Sequence, residues 1–349
     1  MRRWFLLIGA ALMVPAQAQL GDKLRGLVEV DLAAPPEHDT AYVAEYRSNL
    51  LLSGVVKLQT DDIGMEPATG DALEYTTNGA ELYGLGLDYK WLSVEALFSV
   101  PQWNDLDPSL GTSSSRGFGL GITRPRLWAR AFWNTTEGYY MTSPERWTGS
   151  PAPYVRGDIS NRLFLVSVNY ALDKRCRYSQ RAATYQTERQ KKSAGTFVMG
   201  FSGWHATVKG DSSLLEPSLL DTFRLAIKSF HEAQRLLLGA TFGYTHTFVI
   251  GHKGFIHASL LPGLAYTHQW LASDADRLHG IGMVPVIEFK AGVGFNGDRW
   301  YCALTTAYHY TTAQIADDLY LSLNHGQVRL ALGLRFGDPG IEALRKVGL

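Results

Sequence analysis

Residues 327–336 read QVRLALGLRF, and in an extended chain they separate into two unlike faces. Val328, Leu330, Leu332, Leu334 and Phe336 fall on one side, Gln327, Arg329, Ala331, Gly333 and Arg335 on the other. Successive side chains of a strand point to opposite faces, so a strict period of two marks a strand with an apolar medium on one side only. The split recurs along the chain. Tyr83, Leu85, Leu87 and Tyr89 oppose Gly84, Gly86 and Asp88; Ile256, Ala258, Leu260, Leu264, Tyr266 and Trp270 oppose His257, Ser259, Gly263, Thr267 and Gln269. Ile281, Met283, Pro285, Ile287, Phe289, Ala291, Val293 and Phe295 oppose Glu288, Lys290, Gly292 and Gly294.

Such strands fit a soluble sandwich or a membrane barrel, and three features select the barrel. The alternating runs reach ten residues or more. Trp91, Trp270, Trp300, Tyr301 and Tyr310 gather near strand ends, as an interfacial girdle would. Tight connections (89–92, 251–254, 296–298) alternate with long ones (101–114, 142–156), as turns on one rim and loops on the other. Composition agrees, because 35 Gly, 17 Tyr, 15 Phe and 9 Trp accompany a mean hydropathy of only −0.10. No run approaches the ~20 apolar residues of a membrane helix. The spacing predicts an all-β transmembrane antiparallel barrel of about twelve strands (range 10–14 by the parity of single-chain barrels). These strands are 44–59, 80–89, 92–100, 115–124, 127–136, 160–171, 194–205, 235–249, 253–270, 281–296, 299–312 and 326–336.

Met1-Arg2-Arg3, the apolar run Trp4 to Val14 and Pro15-Ala16-Gln17-Ala18 have the n-region, h-region and cleavage site of a secretory signal. Residues 1–18 are therefore expected to be removed on export. The remaining divisions are an N-terminal periplasmic segment (19–43), an outer-membrane β-barrel (44–336) and a C-terminal tail (337–349), in the outer membrane of a Gram-negative cell. Outer-membrane lipid and the barrel-assembly machinery are the expected partners. Basic and acidic residues number 33 each, so no positive surplus exists for a nucleic-acid backbone, and nucleic acid is not an expected partner. Cys176 and Cys302 are too few for a disulfide framework and are read as unpaired thiols.

One run breaks the pattern. RYSQRAATYQTERQKKSAG, residues 177–195, shows no apolar face at either period. As a wall strand it would place Arg, or Gln and Glu, against lipid, at up to ~2–4 kcal/mol for an Arg at mid-bilayer. It is expected off the lipid face, as a hairpin beyond the bilayer or folded into the lumen against inward charges. Together with LGLDYKWLSVEALFSVP and EGYYM, this run and the TFVMG after it resemble the exported proteins grouped as domain of unknown function 4421. The resemblance extends from about Tyr42 to Phe336. Its most specific positions are Tyr178, Gln186, Gln190, Lys191, Lys192, Ser193, Ala194 and Gly195. It implies an outer-membrane barrel without a particular reaction. The tail after Phe336 departs from it, since such barrels often end on the terminal aromatic.

Two constellations carry candidate chemistry. The inward charges Arg47, Lys57, Asp88, Glu95, Arg130, Glu288, Lys290, Arg329 and Arg335 are expected to line the lumen, paired to satisfy a narrow interior or, through their basic surplus, forming an anion-favouring path. The leading reading is a structural or solute-passage barrel of unestablished activity. Ser193 supports the alternative of a lipid hydrolase, with a base from another strand such as His257 or His309. His205 lies too far along one strand to serve, although it and Glu188 are near in sequence. His246 and His268 fall on apolar faces near strand ends. No HxxxH or HExxH occurs, so neither a metal nor another cofactor is expected. Residues 211–234 carry Leu215, Leu219, Leu220, Phe223, Ile227 and Phe230 at helical spacing and predict a rim helix or lid.

Overall fold

The computed structural model describes residues 37–46, 49–67, 72–79, 81–100, 103, 106–215, 230–274, 277–310, 312–316, 319–338 and 340. In chain order the strands are β1 (Val43–Glu45), β2 (Leu50–Pro67), β3 (Leu73–Thr76), β4 (Glu81–Tyr89), β5 (Leu92–Ser99), β6 (Ser114–Thr123), β7 (Leu127–Met141) and β8 (Val155–Ala171). They continue as β9 (Glu188–Gln190), β10 (Ala194–Lys209), β11 (Glu232–Ile250), β12 (Gly254–Ala272), β13 (Arg277–Asn296), β14 (Trp300–Tyr310), β15 (Thr312–Ala316) and β16 (Leu319–Phe336). β2, β4 to β8, β10 to β14 and β16 pair antiparallel with their neighbours, and β16 returns to β2 with Phe336 opposite Leu50 and Leu319 opposite Pro67. The ring is therefore closed, a barrel of twelve wall strands without a free edge.

The exterior confirms the period-two reading. Leu332, Leu334 and Leu264 are 57%, 54% and 60% exposed, whereas Ala331 and Ala265 on the alternate positions are fully covered. The outward apolar band runs through Leu52–Leu58, Phe164–Tyr170, Phe197–Phe201 and Val328–Phe336. Toward the long-loop rim it gives way to outward Asp62, Arg162, His205 and Gln234. This band crosses the hydrocarbon, and the longest strands, β11 to β13, continue beyond it. Antiparallel ladders such as those of β16 with β2 and with β14 give wall backbone groups cross-strand partners, which lipid itself could not.

Two departures from regular barrel form shape the interior. Near the long-loop rim β3 bridges β2 (Tyr75 opposite Ile63) and β7 (Tyr75 opposite Met141), so one short strand spans the gap above the shorter β4, β5 and β6. The narrowed upper lumen is filled by Ile63, Met65, Tyr75, Phe132, Trp204, Leu214 and Phe230, contributed from around the ring. On the opposite, tight-turn rim, residues 172–193 do not turn directly from β8 into β10. They enter the barrel mouth, form the helix Gln180–Thr184 and the short strand β9, and pair with β1 in a separate two-stranded sheet.

Several expectations need correction. The wall begins at Leu50; residues 44 and 45, expected in the wall's first strand, belong with Val43 to the mouth sheet. Tyr301 faces the lumen and is 1% exposed, so it is not part of the girdle, whereas Trp300 is 46% exposed on the outside. Residues 232–234 of the expected helix are strand, and residues 216–229 lie outside the described residues, with Leu219, Leu220, Phe223 and Ile227 among them. Cys176 and Cys302 are both free thiols, as expected.

Candidate functional site

The lumen carries three layers, each built from inward positions of the wall. At membrane depth, Glu95 on β5 accepts from Arg329 Nε at 2.7 Å and from Arg130 at 3.4 Å. Lys57 is fully buried, with its ammonium 4.1 Å from the centre of the Phe132 ring, and Lys290 donates to Glu288 two residues away on the same face. Asp88 is 5% exposed beside this group. Eight of the nine expected lumen charges are therefore inward, and Arg47 lies outside the described residues. The pairing reading describes Glu95, Arg130, Arg329, Glu288 and Lys290, because desolvated charges need partners of opposite sign. A second cluster, missed from sequence, lies above it: Asp61 accepts from Thr136 (2.9 Å) and Asn134 (3.0 Å) and lies 2.7 Å from His325 Nδ1.

Below the charged belt the polar run forms a plug. Ser179 caps the helix by accepting from the Ala182 N–H, and its hydroxyl donates to Glu188 Oε2 at 2.6 Å. Arg181 donates to Glu188 Oε1 at 3.0 Å and to the Thr123 carbonyl at the end of β6. Gln186 sits in the left-handed region (φ 60°), a conformation costly for a residue with a Cβ. It is fixed there by Asn296 Nδ2, which donates to its side-chain oxygen at 2.7 Å, and by Arg335, which donates to its carbonyl. Gln190 Nε2 donates to the carbonyls of Arg177, Lys192 and Tyr42. Lys191 Nζ reaches the Thr40 carbonyl at 2.7 Å, and Lys192 lies over the Tyr42 ring. Of the positions that carry the resemblance, Tyr178, Gln186, Gln190, Lys191 and Lys192 thus lie in the plug or tie it to the N-terminal segment, whereas Ala194 and Gly195 begin β10. Its charges pair within the plug (Arg181 with Glu188), with Asp39 of the N-terminal segment and with Asp298 of the turn after β13; they do not pair with Glu95 or Lys290 as the lumen-filling expectation had it.

Between belt and plug lies a cavity of about 70 Å³ bounded by Asp88, Glu95, Arg130, Lys290, Arg329 and, from the plug, Tyr185. It has room for a few waters. Tyr178, buried in the plug, donates to Gln180 Oε1 at 2.6 Å and lies 3.1 Å from Thr245 on the wall.

The hydrolase candidates are not brought together. Ser193 is exposed at the tight-turn rim, where its hydroxyl accepts from the Val249 N–H at 3.0 Å. His257 is inside the lumen, 3.2 Å from Thr247 Oγ1, and His309 packs edge-on against Trp204 at 5.0 Å between ring centres. His205 points outward, and Glu188 is buried in the plug. Gly195 is needed for packing, since a Cβ there would lie 2.4 Å from the Tyr244 hydroxyl and 2.6 Å from the Thr245 carbonyl. His246 and His268 do stand on the outer wall, against Phe248 (4.2 Å) and Trp270 (4.3 Å).

The mouth also assembles a group that no local spacing announces. His38 Nδ1 lies 3.1 Å from Glu45 Oε1 and 3.5 Å from Glu188 Oε2. Their side chains are 1%, 9% and 2% exposed. Burial by itself would lower the His38 pKa, but the Glu188 charge, with the hydrogen bond and charge of Glu45, outweighs it and raises the pKa above its ordinary value. The antiparallel pairing of β1 with β9, Glu45 opposite Glu188, makes the junction.

The architecture defines the class: a transmembrane β-barrel with a plugged, charge-lined lumen. The chain belongs to the family described as Domain of unknown function (DUF4421), whose model matches residues 37–336. No curated protein matches it. Among solved structures it is similar to the outer membrane protease OmpT of Escherichia coli (8% identity, 83% of this chain and 97% of that one, TM-score 0.40). It is also similar to the COG4313 outer membrane channel of Pseudomonas putida F1 (12%, 88% and 100%, TM-score 0.33). A third is the translocator domain of the autotransporter NalP of Neisseria meningitidis (10%, 93% and 98%, TM-score 0.34).

Proposed function

We propose that the protein is a structural barrel of the outer membrane, held closed, rather than an open pore or a hydrolase. The observation that carries this is the double occlusion of its lumen. The plug fills the tight-turn mouth, and Ile63, Met65, Phe132, Trp204, Leu214 and Phe230 meet across the narrowed opposite end. The tight-turn rim, with the N-terminal segment and the chain's last strand end, faces the periplasm in this reading, as short turns do in such barrels. Export would remove residues 1–18, insertion would use the barrel-assembly machinery, and the apolar band would meet lipid. Mass spectrometry of the purified protein should then give Gln19 as the first residue.

Planar-bilayer recording tests the closed state. Wild type should show no discrete conductance steps. Deletion of residues 174–192 should leave the barrel largely closed as well, because the apolar upper lumen is untouched. Stable steps of open-pore size in wild type would favour the solute-passage reading, with anions steered by the belt.

A further inference from the structure

We propose that His38, Glu45 and Glu188 form a site for a divalent transition-metal cation of the Zn²⁺ type, which staples the N-terminal segment to the plug. Each of the three residues offers one ligand-type atom within 4.8 Å of the other two, and His38 Nδ1 approaches Glu45 Oε1 and Glu188 Oε2. Zinc bonds to nitrogen and oxygen of about 2.0–2.1 Å place neighbouring ligands of a tetrahedral site about 3.3 Å apart. The two separations from Nδ1, 3.1 and 3.5 Å, bracket that edge.

Charge balance points the same way. Two carboxylates face one imidazole here, and a dication in their midst would be attracted by both in a setting where water screens little. The outer partners are those that hold metal ligands in place. Glu188 receives Arg181 on one oxygen and Ser179 on the other, and Glu45 Oε1 accepts from the His38 backbone N–H at 2.8 Å. His38 Nε2 is buried and without a hydrogen-bond partner among the described residues, so an imidazole bound through Nδ1 would keep its other N–H unpaired, a cost that the ion's bonds must outweigh. One imidazole with two carboxylates suits zinc or a neighbouring first-row ion better than Ca²⁺, which takes six to eight oxygens. The ligands come from two segments that meet only when the plug is docked, so a bound ion would hold the docked state specifically.

The test uses the full mature chain, refolded in detergent and stripped with EDTA, titrated calorimetrically with ZnCl₂ at neutral pH and with CaCl₂ as the hard-cation control. One zinc per chain is expected, with a dissociation constant in the micromolar range or tighter and no comparable calcium binding. His38→Gln and Glu45→Gln should each weaken it at least tenfold. His279→Gln, which alters the outer-wall pair with His268, should leave it unchanged. In wild type, zinc at 100 times its dissociation constant should slow hydrogen exchange of residues 37–46 and 173–192 about 100-fold where exchange follows undocking. Absence of saturable zinc uptake would overturn the site, leaving a protonated imidazole as the occupant. So would uptake abolished by His279→Gln but not by His38→Gln, or zinc binding that leaves exchange of the two segments unaltered.

Discussion

Arg181→Leu is the substitution that most directly separates plug from wall. The guanidinium is 8% exposed and Glu188 2%, so the pair is desolvated on both sides, and Leu also removes the donor to the Thr123 carbonyl. Breaking a buried pair from one side costs about 3–5 kcal/mol, because the remaining carboxylate stays in the interior with less compensation. That cost falls on the docked plug, since the twelve-strand ladder uses neither side chain. At 1.4 kcal/mol per factor of ten, even 3 kcal/mol raises the undocked fraction about a hundredfold. Hydrogen exchange of peptides covering 173–192 and 37–46, in EDTA-treated protein, should accelerate by that order. The heat-modifiable gel shift, which reports the closed wall, should be unchanged. Unaltered exchange with an intact barrel would refute the account of the plug's stability, and loss of the gel shift would show that the segment is needed to build the wall.

Two further outcomes follow from the wall and the mouth. Leu332→Arg puts a charge on the lipid face and should cost up to ~2–4 kcal/mol near mid-bilayer. Gly333→Ala, one residue on, should also destabilise, by about 1–3 kcal/mol, because its Cβ would lie 2.1 Å from Tyr301 Cε1 in a buried ring; urea unfolding in detergent measures both, and a neutral Gly333→Ala would contradict the packing. Asp298 ties Arg189, Lys253 and Tyr46 together, and the hydrogen bonds from Lys253 and then Arg189 hold its carboxyl below the ordinary range. A depressed carboxylate stabilises above its unfolded value near ~3.9 and loses that contribution as pH falls through the folded value. Plug exchange, corrected for intrinsic rates, should therefore rise as the pH is lowered below about 4, and Asp298→Asn should flatten that dependence.

The wall was legible in the sequence because its physics is local. Val328 to Phe336 alternates, the alternation needs an apolar medium outside, and the tight-turn spacing fixes antiparallel neighbours, so twelve strands and their faces follow from residues close in the chain. The polarity of 177–195 likewise excluded a lipid-facing strand without reference to anything distant. What the run does instead depended on the closed ring. Only there does Arg181 meet the Thr123 carbonyl, Arg335 the Gln186 carbonyl and Arg189 the Asp298 carboxylate. Gly333 shows the same limit at one residue, since the period of two places it inside but does not tell that Tyr301 occupies the space. His38, Glu45 and Glu188 have no informative spacing along the chain. A short antiparallel pairing between the N-terminal segment and the plug brings them together, and contacts between segments so far apart are decided by the barrel mouth that encloses them.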